Sequence, residues 1–402
     1  MEIIFYIALF IIFYTYIGYG IVLFCCIKIK RFFNGKLKVV GFAESELPKV
    51  TFVVAAYNEE DWINDKIINC LAFNYPKDKI EFLFVTDGSS DNTPKYVEEF
   101  AYPVGVQWNL YHSPDRRGKI AAVERIMEFV TTPITIYTDA NTMVNKMAIR
   151  NIVAHYKNPK VGAVAGEKRV SMDIVDSANS AGEGFYWKYE STLKKWDSEL
   201  YSVVGAAGEL FSLRTELYQA VPKDTVIEDF FMTLKIAMKG YVVRYEDKAY
   251  AVESASATVG EELKRKIRIS AGGLQAISRL TPLLNIFKYG ILSFQYISHR
   301  VLRWTLTPLS LIILLLVNIP LALMNKPFFI VMLLGQTVFY TMAAIGYMLE
   351  KRKLKFKVFF IPYYFCVMNY SVYMGFFRFI KGSQSVVWEK AKRLETSKET
   401  VK

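Results

Sequence analysis

The chain has 402 residues, 52% hydrophobic and 22% charged, with a mean hydropathy of +0.19, which suits a soluble domain of roughly 250 residues beside several membrane helices. Its four cysteines (Cys25, Cys26, Cys70, Cys366) have no CxxC spacing, and His112, His155 and His299 are scattered, so neither a zinc site nor a disulfide framework is supported. The net charge of +12 suits an anionic membrane surface or a phosphate-bearing substrate, and nucleic acid is not expected because no basic arm carries interleaved aromatics.

Ile3 to Ile27 contains no charged residue and is long enough to cross a hydrocarbon core of about 30 Å. Lys28, Lys30, Arg31, Lys36 and Lys38 come immediately after it. That order is the reverse of a signal peptide's, so an uncleaved anchor is expected, with the N-terminus outside and the chain beyond Lys28 in the cytoplasm.

From Pro48 to about Arg279 strands alternate with helices. Val50 to Ala55 predicts a first strand, and Asn58-Glu59-Glu60-Asp61 an acidic helix start, with the helix running to about Asn74. Ile80 to Val85 predicts a second strand, ending at Asp87 with Gly88 turning the chain into a capped helix. Val106 to Tyr111 predicts a third, after which Arg116-Arg117-Gly118-Lys119 opens a helix. Pro133 starts a fourth strand that stops at Asp139, two residues before Asn141, and Val161 to Ala165 predicts a fifth. This rhythm means right-handed crossovers and an α/β fold with a mostly parallel sheet covered on both faces.

After Arg279 the composition changes. Gly290 to Arg303 reads as an amphipathic piece at the membrane interface. Trp304–Asn325, Pro327–Leu349 and Val358–Phe377 are charge-free runs, each long enough to span, with a basic loop from Glu350 to Lys357 between the last two. Three crossings from the cytoplasm leave outside a tail that carries Lys381, Lys390, Lys392 and Arg393. The last run, which contains Pro362, is therefore expected to be interfacial or re-entrant. A transporter fits poorly, because no predicted span holds a charged residue.

Asn58 with Glu59, Asp87, and Asp139 with Asn141 fall at three predicted strand ends, the edge where open α/β sheets bind ligands. Together they offer partners for a base and ribose, and hard oxygens for Mg2+ or Mn2+ on a diphosphate. Asp139-Ala-Asn141 alone also reads as a strand followed by an Asx turn. Arg116, Arg117 and Lys119, before a helix N-terminus, suit phosphate or a solvated basic turn. Neither a Walker loop nor GxGxxG follows the first strand, so ATP hydrolysis and NAD binding lose their usual cradle. Gly205-Ala-Ala-Gly208 would let backbone approach a ligand, or form a tight turn. Asp229 beside Glu228 at a helix start reads as a general base whose pKa its neighbour raises, or as one of two acids favoured by the helix dipole. Arg265-Lys-Ile-Arg268 falls on a basic helix before Ala271-Gly272-Gly273, open to a diphosphate or to lipid head groups.

Val54-Ala-Ala-Tyr-Asn-Glu59, Thr86-Asp-Gly-Ser-Ser-Asp-Asn-Thr93, Thr138-Asp-Ala-Asn141 and Glu228-Asp229, in this order, resemble the family 2 glycosyltransferases. The membrane-embedded branch with the cellulose, hyaluronan and chitin-type synthases is the closest in pattern. The resemblance implies a GT-A fold flanked by transmembrane helices, a nucleotide-diphosphate sugar donor with a UDP-sugar first, and inversion at the anomeric carbon. It implies that Ala56, Tyr57, Asn58 and Glu59 line the nucleotide, that Asp87 contacts the base, and that Asp139 and Asn141 hold Mg2+ or Mn2+. Lys119 and Arg265 fall with the donor, and Gly205, Gly208 and Arg214 with the acceptor-side wall. Asp229 is the implied base, with Glu228 beside it and Arg268 offsetting charge on the leaving diphosphate. Two departures stand out. Asn141 replaces a second Asp, and the synthases' QxxRW reads Arg265-Lys-Ile-Arg268-Ile269, which weakens the case for processive synthesis.

The expected layout is an anchor at 1–30, a GT-A domain at 45–282, an interfacial segment at 283–303, membrane segments at 304–380 and a basic tail at 381–402. The expected protein sits in the cell membrane with a cytoplasmic catalytic domain. It adds a hexose or N-acetylhexosamine to a lipid-linked or growing glycan, among membrane lipids and polysaccharide-assembly partners. A processive synthase that translocates its polymer is the alternative, and a non-catalytic membrane scaffold is the alternative of another class.

Overall fold

The structure, a computed structural model, describes residues 1–170, 178–254, 258–352, 354 and 356–382. They divide into two compact units, one from Lys30–Ser171 and Lys194–Ala255, the other from Met1–Ile29, Met172–Leu193 and Ser256–Gln384. The expected basic tail from residue 383 onward, with Lys390, Lys392 and Arg393, and Lys353 and Lys355 of the expected loop, lie outside the described residues.

The first unit is built on an eight-stranded sheet: β1 (Val50–Ala56), β2 (Ile80–Asp87), β3 (Gln107–Ser113), β4 (Ile134–Asp139), β5 (Thr142–Val144), β6 (Val161–Val170), β7 (Leu210–Arg214) and β8 (Val242–Glu253). The order is β3-β2-β1-β4-β7-β6-β8-β5. β3, β2, β1 and β4 run parallel, as do β6 and β8. β7 lies antiparallel between β4 and β6, and β5 antiparallel on β8. The sheet is thus mixed and parallel-rich. β1 and β4 are buried along their whole length, as strands covered on both faces must be, and for that reason they read as continuous apolar runs. β3, at the edge, has only exposed and partly buried residues.

Register places the site. Ala55 pairs with Asp139 and Ala56 with Thr86, so the ends of β1, β2 and β4 lie side by side. Under them Phe52, Val54, Ile63, Ile67, Phe82 and Ile136 are fully or nearly fully buried in one cluster, each contributing about 1.5–3 kcal/mol by leaving water.

The expected helix start at Asn58–Asp61 is corrected: the helix spans Ile63–Leu71, and Asn58 takes a left-handed φ of 52°. The cause is tertiary. Asn58, Glu59 and Glu60 bond to the 89–93 loop after β2, which removes their backbone from the helical path. The expected fifth strand is β6 and runs on to Val170.

Among the described residues three helices are long and apolar enough to cross a membrane: Glu2–Asn34, Leu306–Leu323 and Pro327–Lys351. The helix over the last apolar run, Lys357–Ile380, is not among them. The basic helix does not stop at Gly272-Gly273 but spans Val259–Arg279. A Cβ on Gly273 would come within 2.5 Å of the Trp304 ring, so this glycine serves close packing. Gly375, whose Cβ would lie 2.7 Å from Ser270, does the same between that helix and Lys357–Ile380. Buried Glu190 is met by Arg300 at 2.7 Å, Arg303 at 2.8 Å and His299 at 3.3 Å.

Candidate functional site

The loops after β1 and β2 are stapled together. Ser90 N–H donates to Asn58 Oδ1 (2.8 Å), Asn58 N–H to Ser89 Oγ (3.2 Å) and Glu59 N–H to Thr93 Oγ1 (2.8 Å). Glu60 N–H donates to Asp91 Oδ2 (3.1 Å), while Asn92 donates twice to Glu60 Oε2 (3.1 and 2.9 Å). Asn58 and Glu60 therefore shape the rim. Asp87 is buried, and its Oδ2 accepts from the N–H groups of Arg117 (2.7 Å) and Gly118 (2.6 Å). Gly88, at φ 68°, lets this turn close, since a Cβ there would lie 2.5 Å from Arg116 Cβ. The Arg116 guanidinium then lies 3.8 Å from the centroid of the Tyr57 ring. Ala56, Tyr57, Asp87, Arg116, Gly118 and Lys119 line a pocket with an aromatic–guanidinium wall that suits a nucleobase.

At the mouth of β4, Lys119 Nζ bridges Asp139 Oδ1 (2.8 Å) and Glu228 Oε1 (3.1 Å). Asp229 follows Glu228 in the first turn of the Glu228–Met238 helix. Burial, then the Glu228 charge, raises Asp229 to about 7, with Lys119 opposing. Burial also raises Asp139, outweighing the pull of Lys119. For Lys119 the balance is reversed: burial would lower it, but Asp139 and Glu228 together raise it. A Cβ on Gly208 would lie 3.3 Å from Lys119 Nζ and 3.6 Å from Asp229 Oδ2, so the small residue keeps this centre open. Behind it Lys168 bonds Glu209 at 2.5 Å and also Glu253.

Asn141 Nδ2 donates to Glu59 Oε1 at 3.2 Å. Its Oδ1 is buried and has no hydrogen-bond partner among the described residues, an arrangement that costs about 1–3 kcal/mol when left uncompensated. A cation would satisfy it. No group of three or more His, Cys, Asp or Glu able to hold a metal occurs among the described residues. The unpartnered Asn141 Oδ1 and the Asp139 carboxylate are hard oxygens of the kind a divalent ion takes one or two of, completing its shell with phosphate and water.

The structure thus brings together Ala56, Tyr57, Asn58, Glu59, Asp87, Lys119, Asp139, Asn141, Gly208, Glu228 and Asp229 around the ends of the parallel strands. Gly205 lies in the loop before β7 at φ 81°, where a Cβ would lie 2.0 Å from the Phe230 ring. Arg214 is a correction. β7 is antiparallel and pairs Arg214 with Ile134, the first residue of β4, so it sits at the opposite end from Asp139. There it donates to the carbonyls of Val161 and Tyr156, each at 2.8 Å. Arg265 and Arg268 lie on the Val259–Arg279 helix of the other unit, where Arg265 pairs with Glu262 at 2.9 Å.

Glu209, Lys168 and Lys66 were missed in the sequence. Lys66 had a signal: it falls on the stripe Ile63, Lys66, Ile67, Cys70 that the helix buries, a charge where periodicity asks for an apolar residue.

Residues 51–221 match the family model described as glycosyl transferase family 2. Poly-beta-1,6-N-acetyl-D-glucosamine synthase of Staphylococcus aureus (strain MSSA476) is 27% identical over 241 residues, 58% of this chain and 57% of the relative. Its counterpart in Staphylococcus epidermidis is 25% identical over 267 residues, 65% of this chain and 62% of the relative. The match thus spans less than two thirds of either relative's length. A solved structure, a mannosyltransferase from Pyrobaculum calidifontis in complex with GDP-Man and Mn2+, shares the fold with a TM-score of 0.69 at 22% identity, covering 94% of this chain and 99% of that one.

Proposed function

We propose, from the premise that residues 51–221 form a glycosyl transferase family 2 domain on a GT-A fold, that the protein is a membrane-bound inverting glycosyltransferase of surface-polysaccharide synthesis. The observation that carries this reading is the Lys119–Asp139–Glu228 cluster at the strand ends, with half-buried Asp229 beside it and raised into the neutral range.

The donor is a nucleotide-diphosphate sugar. Its base enters the Tyr57–Arg116 pocket beside the turn that Asp87 holds, and Lys119 faces its diphosphate. Asp139 and Asn141 hold Mg2+ or Mn2+, which would offset negative charge on the leaving diphosphate. Gly208 leaves room for the acceptor, and Asp229 takes the proton of the attacking hydroxyl. The relatives' names favour an N-acetylhexosamine donor, so UDP-N-acetylglucosamine is the first to try. GDP-Man, bound by the structural neighbour, is the second.

The catalytic domain, assigned to residues 45–282, lies in the cytoplasm. With Lys36 and Lys38 inside, the helices Leu306–Leu323 and Pro327–Lys351 form one out-and-back passage. On this reading Lys357–Ile380 is interfacial and the basic C-terminal residues stay on the cytoplasmic side, which Asn369, Arg378 and the tyrosines of that helix support. A processive reading is kept because the relatives are named as polymer synthases.

The test incubates the purified chain in lipid nanodiscs with Mg2+ or Mn2+ and a panel of UDP- and GDP-sugars, recording released nucleotide and product size. One donor giving single additions to a lipid-linked acceptor is the expected result. A long glycan establishes the processive reading, and no turnover with any donor or membrane-extract acceptor sinks both.

A further inference from the structure

Lys66 is fully buried on the Ile63–Leu71 helix, at a position where a leucine or methionine would complete the apolar stripe. Burying an ammonium is costly, and buried charges are often replaceable by apolar residues without loss of stability. Packing therefore does not account for it. No carboxylate pairs with Lys66 among the described residues; its Nζ donates to Thr142 O (2.6 Å) and Thr138 Oγ1 (3.2 Å) and lies 5.7 Å from the Phe52 ring centroid.

Those two acceptors bracket Asp139 and Asn141. Thr142 Oγ1 donates to Asp139 O (2.9 Å), and Thr138 Oγ1 donates to Glu209 O (2.9 Å). The Lys66 ammonium thus donates to both ends of the turn that carries the cation ligands, and one of its acceptors, Thr138 Oγ1, carries the link on to the backbone next to Gly208. Burial lowers its pKa to about 8, with Cys70 and Asp139 opposing, so it is charged at neutral pH.

We propose that Lys66 is a positioning residue that locks the Asp139–Asn141 turn to the Gly208–Glu209 backbone, so that the cation ligands and the acceptor-side wall keep one fixed geometry. This rests on the glycosyltransferase reading and on the cation assigned to Asp139 and Asn141.

The sign of one measurement separates positioning from a bare charge effect. Removing a positive charge from behind a cation site strengthens cation binding if the charge acts only through its field. Loss of alignment weakens it instead.

The experiment titrates Mn2+, in the presence of UDP and of GDP in turn, into the full chain in nanodiscs and follows the EPR signal of Mn2+ for the parent, Lys66→Met and Thr138→Val. Each variant's thermal midpoint is recorded alongside. The expected result is a Mn2+ dissociation constant raised about 10- to 100-fold in Lys66→Met, the range typical for residues that orient metal ligands, and raised about 10-fold, at the low end of that range, in Thr138→Val. Unchanged or tighter Mn2+ binding in a folded variant overturns the proposal. Should Lys66→Met fail to fold, Thr138→Val decides alone, since it keeps the shape and removes only the hydroxyl link. A parent that binds no Mn2+ with either nucleotide overturns the cation assignment itself, a distinct failure.

Discussion

At residue 141 the chain has an amide where the synthases it resembles have a carboxylate, and the neighbour that explains it is Glu59. The Asn141 amide donates to the buried Glu59 carboxylate at 3.2 Å. A second carboxylate there would face the first in a low-dielectric site, and one of the two would hold its proton. Asn141→Asp should therefore cost stability progressively as pH rises, because an acid raised in the folded state loses its contribution as pH climbs through the raised value. The expected loss is about 1–3 kcal/mol by pH 8, with Glu59→Gln in the same chain restoring it; equal thermal midpoints at pH 5 and pH 8 would count against the pairing. Asp229 gives the second prediction at this scale. A base raised to about 7 works only when ionised, so transfer should rise with pH through about that value, and Asp229→Asn should lower it about 10²- to 10⁴-fold with donor binding retained. The same raised acid destabilises the fold once ionised. Asp229→Asn should thus melt higher than the parent above pH 7, and a lower midpoint there would refute the assignment.

Among elements, the loop before β7 carries the sharpest constraint. Gly205 has φ 81° and a Cβ would collide with Phe230 at 2.0 Å, whereas Gly105 has φ 87° with nothing within 4 Å. Gly105→Ala should cost only the backbone strain, about 1 kcal/mol. Gly205→Ala should add overpacking of about 1–3 kcal/mol and disturb the helix that carries Asp229. Comparable melting shifts for the two would show that the loop yields. Strand ends are where the sequence was most legible: each of Ala56, Asp87 and Asp139 closes an apolar run, and parallel neighbours put those ends together. β7 was not legible at all, because Leu210–Arg214 is short and carries Ser212 and Arg214 among its apolar residues; Arg214, put on the acceptor side by the resemblance, lies at the strand's far end. The helix start at Asn58 failed for a related reason: its acids resemble an N-terminal turn, but their partners lie about 30 residues on, in the loop after β2.

For the whole molecule the informative quantity is the number of crossings. Charge-free length alone suggests four, while among the described residues three helices are long and apolar enough to span, Lys357–Ile380 not being one of them. The proposed three crossings put the two ends of the set on opposite faces. A cysteine at Asn325, which has φ 56° between two spans, should react with an impermeant thiol reagent in intact cells, in a background with the four native cysteines replaced. One at Arg352 should react only after permeabilisation; the reverse pattern would invert the topology. The reciprocal hydrogen bonds between residues 58–60 and 89–93 bear on how such a protein can change its donor. Neither loop is a separable cassette. Evolution or engineering that recruits a new nucleotide must transplant both stretches at once, because a half-exchanged pair loses its zipper and the rim with it.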